Sequence, residues 1–153
     1  EFNSNVELHK YTGDKVIESL ESAKDMIRDI WLRDYKNHGF GRWAAIYKPE
    51  NKIIGFAGLK YLPEFDEVDI GYRFLSEYWG KGIATEVSTE IIKYGFEKLG
   101  IEKIIGIARI ENIGSCRVLE KTGLNLYKTG DYMGDEKRYD WYKIKRSIYK
   151  SGF

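Results

Sequence analysis

The feature that most constrains this chain is a strand that runs into a glycine turn and leaves it as a helix. Glu67–Leu75 alternates, with Val68, Ile70, Tyr72 and Phe74 on one side and Asp69, Gly71 and Arg73 on the other. That period of two is the mark of a β-strand. Ser76–Gly82 is a polar turn holding Gly80 and Gly82. A long helix follows over about Ile83–Leu99, with Ile83, Val87, Ile91, Ile92, Phe96 and Leu99 on its apolar face, and Gly100 ends it. No Ser, Asp or Asn stands immediately before Ile83, so the first backbone N–H groups are free to meet an outside anion. Glycine lets that anion come close, and the helix dipole favours negative charge there. A phosphate or pyrophosphate is the natural ligand. The plainer alternative is that Gly80 and Gly82 only turn the chain. The spacing is not that of a Walker loop, and a dinucleotide fingerprint would need glycine where Thr85 stands.

The rest of the chain frames this unit. Asp25–Lys36 has Met26, Ile27, Ile30, Trp31 and Tyr35 at helical spacing, with Gly39 as a stop. Arg42–Lys48 and Lys52–Tyr61 read as strands joined by a Pro49-Glu50-Asn51 turn. Lys103–Ile110 reads as a buried strand, and Ser115–Thr122 as a short helix closed by Gly123. Leu124–Met133 and Lys137–Ile148 read as two strands turning at Gly134-Asp135, with Lys143-Ile144-Lys145-Arg146 alternating like a charged edge strand. Hairpins at both ends thus surround a strand–helix–strand centre. The expected fold class is α/β: a mixed, mostly antiparallel sheet with one parallel crossover and flanking helices. All 153 residues are expected to form one domain, Glu1-Phe2 being a possible cloning scar.

Composition excludes several functions. Twenty-five Lys and Arg nearly cancel 24 Asp and Glu, leaving +1, which does not support a bulk electrostatic grip on nucleic acid. The longest apolar stretch, Ile53–Leu59, is far too short for a membrane helix. One cysteine and two histidines make a metal site unexpected. With no signal peptide evident, the chain reads as cytoplasmic.

Two blocks carry a family resemblance. Trp79-Gly80-Lys81-Gly82-Ile83-Ala84 resembles the acetyl-CoA signature of GNAT-type N-acetyltransferases, Gln/Arg-x-x-Gly-x-Gly/Ala, with Trp79 at its first position. Asn112-Ile113-Gly114-Ser115 with Leu119-Glu120-Lys121-Thr122-Gly123-Leu124 resembles the Asn-x-x-Ser…Leu-Glu-Lys-x-Gly-Phe block of the RimJ/RimL-type subfamily, which acetylates protein N-termini and assorted small amines. The resemblance covers about residues 40 to 148. The family's first strand, with its Glu-Arg-Leu…Arg pattern, has no counterpart; Asn5-Val6-Glu7-Leu8 looks like the segment just after it.

The resemblance implies direct acetyl transfer from acetyl-CoA to an amine, a small molecule or a protein N-terminus, without a metal. Homodimers are common in the family. The rival readings are a non-catalytic acyl-CoA-binding module on the same fold and a nucleotide-binding domain. The diphosphate would lie on Trp79, Gly80, Lys81, Gly82, Ile83, Ala84 and Thr85. Backbone groups of Phe74 and Leu75 would meet the pantetheine arm. Asn112 would hold pantetheine and Lys121 a CoA phosphate. A backbone N–H around Ile70 to Tyr72 would meet the thioester oxygen. The family's tyrosine acid, seven residues after the asparagine, is replaced by Leu119, and the subfamily points to Ser115 as donor to the sulfur. The residues themselves offer two bases for the ammonium proton, Asp69 and then Glu67, on one strand face. For these residues the plain readings are solvated strand charges, a helix cap at Ser115 and a turn asparagine at Asn112.

Overall fold

The computed structural model describes Lys10, Tyr11, Ile17 and residues 19–150. Asn5-Val6-Glu7-Leu8 lies outside the described residues. The elements are α1 (Leu20–Met26), a π-turn (Ile27–Trp31), α2 (Leu32–His38), β1 (Arg42–Tyr47), β2 (Lys52–Leu62), β3 (Glu67–Phe74), α3 (Ile83–Glu97), β4 (Lys103–Arg109), α4 (Ile113–Lys121), β5 (Asn125–Tyr132), β6 (Asp135–Lys145) and α5 (Arg146–Lys150). The six strands form one sheet in the order β1-β2-β3-β4-β6-β5. Only β3 and β4 run parallel, so the sheet is mixed and mostly antiparallel.

Alternation assigns the two faces. Ile70 and Phe74 of β3 join Leu59, Ile104 and Ile144 in a core covered by Ile91, Ile92 and Phe96 of α3 and Leu119 of α4. The opposite face carries Asp69, Gly71 and Arg73, and a smaller core of Leu62, Ile105, Tyr139 and Trp141. Trp31 approaches this second face, meeting Phe56 edge-on at 5.1 Å between ring centres. A fully buried aliphatic side chain contributes about 1.5–3 kcal/mol.

The parallel pair is the exceptional joint. β2 and β3 match over eight register pairs, but β3 and β4 share a single one, Asp69 with Ile105. Beyond it the two strands part toward their C-terminal ends.

Several boundaries differ from the sequence reading. The first helix begins at Leu20, because Ser19 caps it by accepting from the Ser22 amide at 3.0 Å. α4 starts at Ile113, two residues early, because Asn112 is its cap. The C-terminal strand stops at Lys145 and the chain turns into α5. The expectation of an edge strand at Lys143–Arg146 is corrected: β6 lies between β4 and β5, and β1 and β5 are the two edges. Lys143 of β6 does not guard an edge but rests over the Tyr127 ring of β5 at 4.4 Å.

Candidate active site

The glycine turn has the geometry that its sequence demands. Gly80 and Gly82 sit at φ +72° and +79°, and a Cβ added at either would meet nothing within 4 Å. Left-handed backbone excludes most side chains, and the open space leaves the backbone approachable. Gly82 is the N-cap of α3 and offers no side-chain cap bond. Trp79 staples the turn: its indole N–H donates to the Phe74 carbonyl at 2.7 Å. That is its role here in place of the signature's Gln or Arg.

The strand end before the turn is partly committed. The Phe74 carbonyl is taken by Trp79, the Leu75 N–H donates to Ile54 at 2.9 Å, and the Leu75 carbonyl accepts from Tyr78. Hydrogen-bonding direction alternates along an antiparallel ladder. With Leu75 bonded to β2, the amides of Tyr72 and Phe74 face the β3–β4 gap.

Two cavities meet at that gap. One, of about 380 Å³, is lined by Phe74, Trp79, Gly80, Gly82, Ile83, Ala84, Thr85 and Lys121. The other, of about 480 Å³, lies against the opposite face under the first helix. Tyr72, Arg73, Asn112 and Ser115 border both. The sequence-derived set of the glycine turn, Asn112, Ser115 and Lys121 is therefore brought together in space.

The sequence places the Tyr72 side chain on the core face and gives it no role beyond a backbone N–H around Ile70 to Tyr72. Its phenol is 3.0 Å from the Ser115 hydroxyl and donates to the Ser115 carbonyl at 3.2 Å. Burial pushes this phenol up, so it stays protonated and remains a donor. Ser115 does not cap α4; Asn112 does, accepting from the Ser115 amide at 3.1 Å. The Ser115 hydroxyl is left to Tyr72 and to the gap. Leu119, at the family's tyrosine position, is 1% exposed core.

Asp69 sits at the one register pair of the parallel joint. Arg42 lies flat across Gly58 and Gly71, donates to both carbonyls, and reaches Asp69 Oδ2 at 3.0 Å. A Cβ at Gly71 would collide with that guanidinium. Burial pushes the Asp69 carboxyl up to about 6, outweighing the pull of Arg42, Lys60 and the Ile107 backbone amide. Glu67 is placed elsewhere. It is paired with Lys103 at the far end of β3 and borders neither cavity. Trp31, Phe56, Tyr132 and Tyr139 are the aromatic walls of the larger cavity, together with Tyr11 and Tyr72; Tyr35, Phe40, Trp43, Tyr61 and Phe65 do not line it. Cys116 is buried and its thiol is pushed up. Among the described residues no cluster of three metal-ligating side chains occurs, and no helix is long and apolar enough to cross a membrane.

A mixed sheet whose parallel pair opens beside an uncapped helix start is a fold shared with solved GNAT-family acetyltransferases. The chain belongs to the GNAT acetyltransferase family: residues 1–125 match its acetyltransferase domain. It is 32% identical over 121 residues to the uncharacterized N-acetyltransferase YoaA of Bacillus subtilis, covering 78% of this chain and 68% of that one. A GNAT-family acetyltransferase from Bacillus anthracis superposes with a TM-score of 0.77 at 27% identity, covering 95% and 86% of the two chains. Spermidine N-acetyltransferase from Vibrio cholerae, solved with CoA and spermine, shares the fold with a TM-score of 0.79 at 18% identity, covering 97% and 88%. The protein is an acetyltransferase.

Proposed function

We propose that this acetyltransferase moves an acetyl group from acetyl-CoA directly to a primary amine, with both partners meeting at the gap between β3 and β4. One observation carries the reading: the glycine-turn cavity and the cavity on the opposite face share Tyr72, Arg73, Asn112 and Ser115. A linear cofactor and a separate acceptor need two pockets that touch at one point.

Coenzyme A presents the acetyl group as a thioester, activated toward amines. The residues fit it. The backbone faces open space at Gly80 and Gly82 for the diphosphate, the Trp79 amide being held by the Ser76 carbonyl, Lys121 lines the same cavity for a further phosphate, and the Phe74 amide is turned to the gap for the pantetheine. Asn112 holds the α4 start at the mouth. The Tyr72 amide, also turned to the gap, is the donor for a developing oxyanion. Ser115, held by Tyr72, donates to the departing sulfur.

An ammonium has no lone pair, so the acceptor must first lose a proton. Asp69 takes it, directly or through a water. A carboxylate titrating near 6 is charged at neutral pH yet more basic than an ordinary aspartate. Glu67, tied to Lys103, has no such route.

The RimJ/RimL-type reading rests on the Asn112–Leu124 block. It is supported by 27% identity over 106 residues to YdaF, a putative ribosomal N-acetyltransferase of Bacillus subtilis. The acceptor is then a protein N-terminus or a small amine. The test is CoA release with acetyl-CoA across an amine panel that includes both kinds. Turnover of at least one class is expected; CoA binding with no turnover of any amine would overturn the proposal.

A further inference from the structure

The larger cavity contains a carboxylate that the transfer chemistry above does not use. Asp34 of α2 borders it and is 8% exposed. Among the described residues it has no hydrogen bond or ion pair. The cavity's other charges are accounted for differently. Asp69 is held by Arg42, and Arg109 by Asp135 at 3.1 Å and by Tyr139. Arg73 stacks over Phe56 at 5.5 Å, and Lys60 lies beside Asp69 on the sheet floor. A carboxylate that borders the cavity with no partner of its own has its acceptor oxygens left for a cationic ligand group.

The surroundings say what is attached to that cation. Met26, Ile30 and Trp31 line the same wall before Asp34. In a regular α-helix, residues four apart drift by about 40° around the axis. The π-turn, closed by the Leu32 amide on the Ile27 carbonyl, takes up that drift and keeps Met26, Ile30 and Asp34 in one row. The wall is thus apolar and ends in a carboxylate. Trp31 meets Phe56 of β2 edge-on, so this wall stands over the β2 side of the sheet. Asp34 and Asp69 border the same cavity from different elements, one from the helix and one from β3.

We propose that Asp34 binds a second cationic group of the acceptor, so that the preferred acceptor is an amine joined by a short apolar spacer to an ammonium or guanidinium. This rests on the larger cavity being the acceptor site. The spacer lies along Met26, Ile30 and Trp31, and the reacting amine reaches Asp69 and Ser115.

Equilibrium binding separates this from the transfer reading, because it needs no turnover. Calorimetry compares 1,4-diaminobutane with n-butylamine, and an Ala-Lys peptide amide with its norleucine counterpart. The dication of at least one pair is expected to bind ten or more times tighter, and which pair responds identifies a small diamine or a basic peptide as the source. In Asp34→Asn the ratio should fall to about one. Thermal unfolding without ligand guards against a misfolded variant: Asp34→Asn keeps the side chain's size and breaks no hydrogen bond or ion pair among the described residues, so the melting temperature should stay the same. Equal affinities within both pairs for the native protein, or a ratio unchanged in Asp34→Asn, would overturn the proposal. Failure of every amine to be acetylated, with the dication preference intact, would instead sink the transfer reading alone.

Discussion

Asp69 ties three strands at the point where the sheet opens. Arg42 comes from β1, the carboxylate from β3 and the Ile107 amide from β4. With Asp69 as proton acceptor, the limb of kcat/KM on the acid side should follow a group near 6 and be flat above it. Asp69→Asn should lower the rate about 10²–10⁴-fold at pH 7, a typical loss for a general base, and erase that limb. A pH–rate series on both proteins checks this. The same group affects stability. Its folded pKa is raised above the unfolded value of about 3.9. Its stabilising contribution is therefore complete below about pH 4 and lost as pH rises through about 6. Denaturant unfolding at pH 4 and pH 7 should show that fall in the native protein and a smaller one in Asp69→Asn. Tyr72→Phe isolates the other half of the site. It removes the partner of the Ser115 hydroxyl, a hydrogen bond of about 1 kcal/mol net. A drop of about fivefold in kcat is expected from that energy, with CoA affinity unchanged. Tyr72→Phe in the Ser115→Ala background should add little; additive losses would show that the two hydroxyls act separately.

At the scale of elements, the β3–turn–α3 unit was legible because three local signals agree: alternation over Glu67–Phe74, glycines with a positive φ, and a long apolar stripe. Gly82→Val should weaken CoA binding at least tenfold, about 1.4 kcal/mol, since a branched side chain disfavours the left-handed start of α3 and fills the open approach. Circular dichroism must show the helix kept; unchanged CoA affinity in that folded variant would mean that the phosphates lie elsewhere. Other parts were not legible, for identifiable reasons. Asp34 reads as one more polar residue on an amphipathic helix, and nothing local says that it is buried. Arg42 reaches Asp69 across 27 residues of sequence, a pairing that depends on Gly58 and Gly71 standing side by side. Tyr72 falls on the apolar side of its strand, and only the placement of α4 turns its phenol to Ser115. The order of β5 and β6 in the sheet is invisible to alternation, which sets a strand's faces and not its neighbours.

For the whole molecule, a ligand spanning the gap should couple parts that the sheet itself joins weakly. At a hundred times its dissociation constant CoA should stabilise the fold by about 2.7 kcal/mol. Hydrogen exchange should locate the effect. Amides of Tyr72–Phe74 and Ile107–Arg109 should slow when CoA is bound, while β1 and the edge strand β5 should change little. Uniform slowing across all six strands would argue against a local bridge.

The single β3–β4 register pair also has a consequence for how the chain is made. β4 is matched to β6 along seven pairs and to β3 along one. On the ribosome, β3, α3 and β4 emerge long before β6, so the half that carries the glycine turn waits with one side of β4 bare. The last strand then acts as a latch: synthesis of the C-terminal hairpin completes the pocket. A nascent chain halted after α4 should leave β4 open to proteases or to another chain's edge, even though both signature blocks are already present in it.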